Sequence, residues 1–193
     1  MGNLYKPTAP VSFLQRIELI LKSAYKAEEQ NELNEVNTDA EGVPFEMKRI
    51  IKAQEGMPYL LYRFDRKTDD SLFPVPYFRL KDEEGNRTGM AKTCDYVLFA
   101  EFGDENYIVL IELKKGKEDP TPQLTQMRYF VEFIQKRAHY AGIEIDNAKV
   151  RMVGITDGVA KERTKMSRNA ISYENDFAQL YDGDYVWLKD LLK

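Results

Sequence analysis

The segment from Thr93 to Lys115 constrains the fold more than any other part of the chain. Thr93–Phe102 and Tyr107–Lys115 are two alternating, strongly apolar runs separated by Gly103-Asp104-Glu105-Asn106. Such a pattern predicts a β-hairpin. Alternation puts Ile108, Leu110, Glu112 and Lys114 on one face of the second strand and aligns Asp95 with Val97 and Phe99 on the first. With the turn centred at 104–105, Asp95 falls opposite the region 113–115. Three charged side chains are therefore expected at one end of the sheet, where an apolar face gives out.

Around the hairpin the chain predicts a helix over about 12–29, opened by a capping box of Ser12 and Gln15 and carrying Leu14, Ile17, Leu21 and Ala24 at helical spacing. The acidic, Asn-rich stretch Glu28–Glu41 reads as a fraying end and a solvated loop. Pro44, Met47, Ile50 and Ile51 suggest a short helix over about 44–55, stopped by Gly56 and Pro58. Strands are expected at 59–64 and near 76–80, with a polar turn at 81–86. After the hairpin, Thr121 and Pro122 open a long helix whose stripe is Leu124, Met127, Val131, Ile134, Ala138 and Ala141. A strand at 149–155 and a short strand or helix at 185–192 complete the order, which is that of an α/β or α+β sandwich.

The 193 residues suit a single domain, and 43% hydrophobic with 31% charged residues is a globular balance. The core spans about 45–156, with a helical arm at 1–44 and an extension at 157–193. No apolar run is long enough to span a bilayer, so no membrane partner is expected. A single cysteine, Cys94, excludes an internal disulfide; with no secretion pattern after Met1, it points to a reducing cytoplasm. The net charge of −4 argues against nonspecific coating of nucleic acid but leaves room for local phosphate contacts.

Two carboxylates beside an amine suit a hard divalent cation, which takes one or two carboxylates together with waters and phosphate oxygens. Such an ion acidifies water and steadies charge in phosphoryl chemistry. The amine can orient or deprotonate the water and offset developing negative charge.

Asp95, followed seventeen residues later by Glu112-Leu113-Lys114 and then by a helix with Gln123 and Gln126, resembles the PD-(D/E)XK nuclease superfamily. The resemblance covers roughly 45–156. It implies a restriction-endonuclease-like sandwich, a central mixed β-sheet flanked by helices. It implies Mg2+ or Mn2+ as cofactor, with Asp95 and Glu112 as metal ligands through their carboxylates and Leu113 through its carbonyl. Lys114 would serve the attacking water, and Gln123 or Gln126 would sit near the site. Cys94 stands where a proline often precedes the aspartate, and Gln126 and Tyr129 are one residue closer than the Gln-Tyr signature of one branch. A third carboxylate is assigned to Glu46, with Glu18 as the other choice; Glu18 also suits an ion pair with Lys22.

The resemblance implies a metal-dependent phosphodiesterase acting on nucleic acid, DNA ahead of RNA, in defence, restriction or repair. The alternatives are a catalytically inactive nucleic-acid- or protein-binding module and an enzyme acting on another phosphate ester. With no helix-turn-helix or zinc module in sight, targeting falls to loops, a homodimer or a partner protein. Arg163 and Lys165, on the basic stretch 161–168, and Lys115 are candidate phosphate contacts. Cys94 and His139 read as a core thiol and a solvated histidine. Tyr59, Tyr62, Phe64, Phe73, Tyr77 and Phe78 read as packing first and base-stacking second.

Overall fold

The computed structural model describes residues 11–38, 42–64, 83–84, 93–116, 118–157, 171–181 and 184–193. Along them run α1 (Phe13–Ile20), β1 (Glu32–Thr38), β2 (Pro44–Lys52), β3 (Tyr59–Arg63), β4 (Tyr96–Phe102) and β5 (Glu105–Lys115). Then follow α2 (Thr121–Tyr140), β6 (Lys149–Asp157), β7 (Phe177–Tyr181), β8 (Tyr185–Trp187) and α3 (Leu188–Leu191). The strands form two mixed sheets, β3-β4-β5-β6-β7 and β1-β2-β8, so the fold class is α/β. In the larger sheet β3, β4 and β5 meander antiparallel, whereas β5, β6 and β7 run parallel. The helix α2 supplies the crossover that a parallel β5–β6 pair requires. No helix among the described residues is long and apolar enough to cross a membrane.

The hairpin forms with a tighter turn than the sequence suggests. Phe102 pairs with Glu105, leaving Gly103 and Asp104 at the tip, and Gly103 takes a φ of +61° that a two-residue turn demands. The pairing of Tyr96 with Ile111, continued one step, sets Asp95 opposite Glu112 rather than opposite 113–115.

The central sheet is buried on both faces. On one, Val97, Phe99, Ile108, Leu110 and Met152 pack against Phe13, Leu14 and Ile17 of α1 and Leu124, Met127, Val131 and Ala138 of α2. On the other, Leu98, Val109, Ile111, Leu113, Val153 and Ile155 meet Leu33, Met47 and Ile51 of the smaller sheet, with Leu188 and Leu191 of α3. A strand covered on both sides reads as a near-continuous apolar run, which is why β5 stays buried from Tyr107 to Leu113.

Two expected helices change form. Residues 44–55 contain β2, not a helix. The series Phe45, Met47, Ile51 faces the core while Glu46, Lys48 and Lys52 are exposed, and pairing with β1 decides between the two periodicities. The N-terminal helix ends at Ile20, although its capping box forms with Ser12 and Gln15 satisfying each other's backbone amides. Beyond it the chain turns to protect the edge of β3. Ala27 donates to the Leu61 carbonyl at 2.9 Å, and the Gln30 side chain brackets Leu61 by donating to its carbonyl and accepting from its amide. That edge satisfaction replaces the last nine residues of the expected helix. The expected strand near 76–80, most of the 81–86 turn, and Phe73, Tyr77 and Phe78 lie outside the described residues.

Gly154 lets the start of α2 rest on the sheet. A Cβ there would stand 2.4 Å from Cγ of Pro120, a buried and rigid ring. Gly154→Ala is expected to destabilise the protein by about 1–3 kcal/mol, the range for overpacking. Urea denaturation checks this; an unchanged midpoint would mean that the contact yields without cost.

Candidate active site at the end of the central sheet

Past the last ladder pair of the hairpin, Asp95 and Glu112 replace main-chain pairing with side-chain pairing. The Asp95 amide donates to Glu112 Oε2 at 3.1 Å, and the Leu113 amide donates to Asp95 Oδ2 at 2.6 Å. Each carboxylate thus engages the backbone of the opposite strand. Both residues are buried, Glu112 to 3% exposure, which is uncommon for a carboxylate unless it is paired.

Lys114 completes the group. Its Nζ lies 2.7 Å from Glu112 Oε1 and 3.9 Å from Glu118 Oε2. Lys115 turns the other way, toward the smaller sheet, with its ammonium 5.0 Å from the centre of the Phe45 ring. The alternation expected of these neighbours is therefore present. Leu113 lies between Glu112 and Lys114 with its amide directed at β4. In an extended strand the carbonyl of the same residue points to the same edge.

Burial pushes the Glu112 carboxyl up to about 7, against the Lys114 charge and hydrogen bond and the Asp95 amide, which hold it down; the Glu35 charge raises it further. Burial acts to lower the Lys114 ammonium, but the charge and hydrogen bond of Glu112, with the charges of Asp95 and Glu35, leave it raised overall. In the metal-free protein Glu112 thus holds its proton to higher pH than an unfolded chain would. Its contribution to stability is fully present below about 4.5 and is lost as pH rises through about 7. Urea titrations in chelator are expected to show wild type losing up to about 3 kcal/mol relative to Glu112→Gln between pH 4.5 and pH 8. A pH-independent difference would contradict the burial effect.

Four residues near the site, Tyr96, Glu35, Thr156 and Asp119, escaped the sequence. Tyr96 reaches across to β1, where its hydroxyl accepts from the Asn34 amide and donates to the Asn34 carbonyl, each at 2.8 Å. This anchors β1 beside Asp95 and brings Glu35, the next residue, within electrostatic reach of both Glu112 and Lys114. Thr156 is level with Lys114 on β6; it is buried and accepts from Gln179 Nε2 at 3.2 Å. The N-cap of α2 is Pro120 rather than Thr121, and Asp119 before it accepts from the Thr121 amide at 2.9 Å. The bonds from Thr121, aided by the Lys114 charge, hold its carboxyl below the usual range.

Other expected participants lie elsewhere. Glu46 is on the exposed face of β2, opposite Met47, where Asn34 Nδ2 donates to it at 3.3 Å, so it is displaced from the site by strand alternation. Glu18 pairs with Lys26 instead of Lys22. Gln123 is half-buried in the first turn of α2, and Gln126 is exposed on the side of Tyr129; neither hydrogen-bonds to Asp95, Glu112 or Lys114. Arg163 and Lys165 lie outside the described residues. Cys94 is buried with its thiol on the Tyr96 carbonyl, while His139 is exposed and 3.1 Å from Asp146. Tyr62 and Phe64 stack in the core at 6.1 Å.

Among the described residues no group of three or more His, Cys, Asp or Glu side chains is arranged to hold a metal ion. The carboxylates that could hold a cation at this sheet end are Asp95 and Glu112, with main-chain oxygen beside them. Such a set suits an ion that keeps most of its waters. The Lys114 ammonium feels the charges of Glu112, Asp95 and Glu35 and lies 3.9 Å from Glu118 Oε2, while the Arg63 guanidinium stands over the Tyr96 ring at 5.4 Å. Searches for similar proteins matched this chain to no family model, no curated protein and no solved structure.

Proposed function

We propose that the protein is a divalent-metal-dependent phosphodiesterase acting on nucleic acid, DNA in preference to RNA, with a restriction-endonuclease-like core. The observation that carries this reading is the Asp95–Glu112 exchange beside Lys114, whose Nζ is 2.7 Å from Glu112 Oε1. Two buried carboxylates at a sheet end, beside the Lys114 amine, are an expensive arrangement for stability alone. The order α1, β3-β4-β5, α2, β6 supports the same reading, because it places an aspartate at the start of one hairpin strand and the Glu-x-Lys triplet late on the other.

In this reading Asp95 and Glu112 hold Mg2+ or Mn2+, with Leu113 able to offer its carbonyl. The bound ion supplies acidified water and neutralises charge on the scissile phosphate. Lys114, whose Nζ is 2.7 Å from Glu112 Oε1, would orient the attacking water and offset negative charge as it develops. The raised affinity of Lys114 for its proton favours this charge-offsetting role over that of a base. Lys115, Arg163 and Lys165 are the chain's candidates for more distant phosphate contacts, and a second copy or another protein would add target choice.

A second reading, a noncatalytic nucleic-acid- or protein-binding module, is favoured by one feature. Lys114 already neutralises Glu112 within the chain, as a structural ion pair would. Plasmid nicking by purified protein with Mg2+ or Mn2+ separates the two. Nicking that chelator abolishes and Asp95→Asn removes is the expected result. No cleavage of any nucleic acid, with or without turnover of a small phosphodiester, would overturn the nuclease reading.

A further inference from the structure

At the level of Glu112 the central sheet carries a further polar side chain on its helix-covered face. Glu112 pairs with Gly154 of β6, and Gly154 pairs with Gln179 of β7, so the three positions form one row across parallel strands and face the same way. Gln179 lies two strands from Glu112, about 10 Å at ordinary strand spacing. Pro120 fills the space above Gly154, so the connection between the carboxylates and Gln179 runs around it. It passes through Lys114 and Thr156, which are register partners at the next position along the same face.

Gln179 is exposed, yet its side chain is held. Its Nε2 donates to Thr156 Oγ1 at 3.2 Å, and Thr156 is buried. A glutamine in solvent gains little from one neutral hydrogen bond and gives up much side-chain freedom to keep it. The buried hydroxyl accounts for one end of the bond, because a buried polar atom needs a partner. It does not account for the hydroxyl being there, since a valine at 156 would need no partner at all. Among the described residues the Gln179 carboxamide makes no other hydrogen bond, so Oε1 and the second N–H of Nε2 face outward. A carboxamide fixed at one end by a buried group and open at the other is pre-oriented for a contact.

We infer that Gln179 is a substrate-binding residue, donating from Nε2 to an oxygen of a phosphate next to the reacting one, and that Thr156 is its positioning residue. The inference rests on the phosphodiesterase reading and specifies the substrate as a polynucleotide strand that continues past the cleavage point toward β7. Glutamine side chains are among the groups that contact the nucleic-acid backbone, and such contacts fix the register of a strand without reading its sequence. A separation of about 10 Å puts the contact on a neighbouring phosphate rather than on one held by Asp95 and Glu112.

The test compares wild type, Gln179→Ala, Thr156→Val and Thr156→Ser in steady-state cleavage of duplex DNA with Mn2+. Binding of a labelled duplex in EDTA, followed by fluorescence anisotropy, is measured beside it. Gln179→Ala is expected to raise KM and Kd by about tenfold, as loss of one hydrogen bond to a charged group would, with kcat within about twofold. Thr156→Val is expected to raise both in part, by releasing the carboxamide, and Thr156→Ser to restore them. The loss is expected to be uniform across DNA sequences. Unchanged KM and Kd in Gln179→Ala overturn the inference, and so does a fall in kcat alone. A loss confined to particular sequences overturns the phosphate assignment in favour of a base contact. Should Thr156→Val fail to fold, Gln179→Ala decides alone, because its side chain is exposed. A wild type that binds duplex and cleaves nothing sinks the phosphodiesterase reading, while the Kd comparison still decides the role of Gln179. A wild type that binds no duplex overturns both.

Discussion

Lys114→Ala is expected to slow single-turnover phosphodiester cleavage by on the order of 10²- to 10⁴-fold, whereas Lys115→Ala is expected to change it by less than about tenfold. The two lysines are neighbours that differ only in the face to which the strand turns them. Lys114 Nζ is 2.7 Å from Glu112 Oε1, whereas the Lys115 ammonium sits over Phe45 on the far side of the sheet. Above the raised pKa of Glu112, metal affinity in Lys114→Ala is expected to hold or rise, because a competing cation has gone. Arginine at 114 is expected to recover only part of the rate. It keeps the charge, but its planar fork cannot reproduce the approach of an ammonium to Glu112. An inactive Lys115→Ala beside an active Lys114→Ala would place the chemistry on the other face and discard the site.

Asp95→Asn and Glu112→Gln are each expected to reduce metal-supported cleavage by about 10³-fold or more, the equivalent of roughly 4 kcal/mol of transition-state stabilisation. These variants keep an acceptor for the Leu113 and Asp95 amides, so the hairpin end survives while the charge is lost. Circular dichroism and a cooperative urea transition would verify the fold. Glu112→Gln also removes a carboxylate that burial has driven up to about 7, so in chelator the wild type is expected to lose stability relative to the variant as pH rises through that value. Wild-type cleavage rates in both variants would exclude these carboxylates from the chemistry.

Much of the site was legible because β-strand period is strict. The alternation of Ile108, Leu110, Glu112 and Lys114 with the matching row from Asp95 sufficed to bring the three charges to one sheet end. The error in register came from the turn, where Glu105 and Asn106 join the ladder instead of the loop. The smaller sheet was not legible. Glu32–Thr38 has little apolar alternation, and β2 carries Met47, Ile50 and Ile51 at a spacing that serves a helix equally well. Missing that sheet meant missing Glu35 and assigning the third carboxylate to Glu46, which strand alternation points outward. Thr156 and Gln179 were hidden for a different reason. Their relation to Lys114 depends on two parallel crossovers, which local spacing does not encode.

The most direct test of the central claim is calorimetric titration of Mn2+ at pH 8 into wild type, Asp95→Ala and Glu112→Ala. At that pH Glu112 is ionised and ready to take up a cation. One saturable site in the wild type, weakened on the order of 100-fold or more in each variant, is the expected result. Unchanged Mn2+ affinity in both variants would contradict the assignment of Asp95 and Glu112 as the metal ligands.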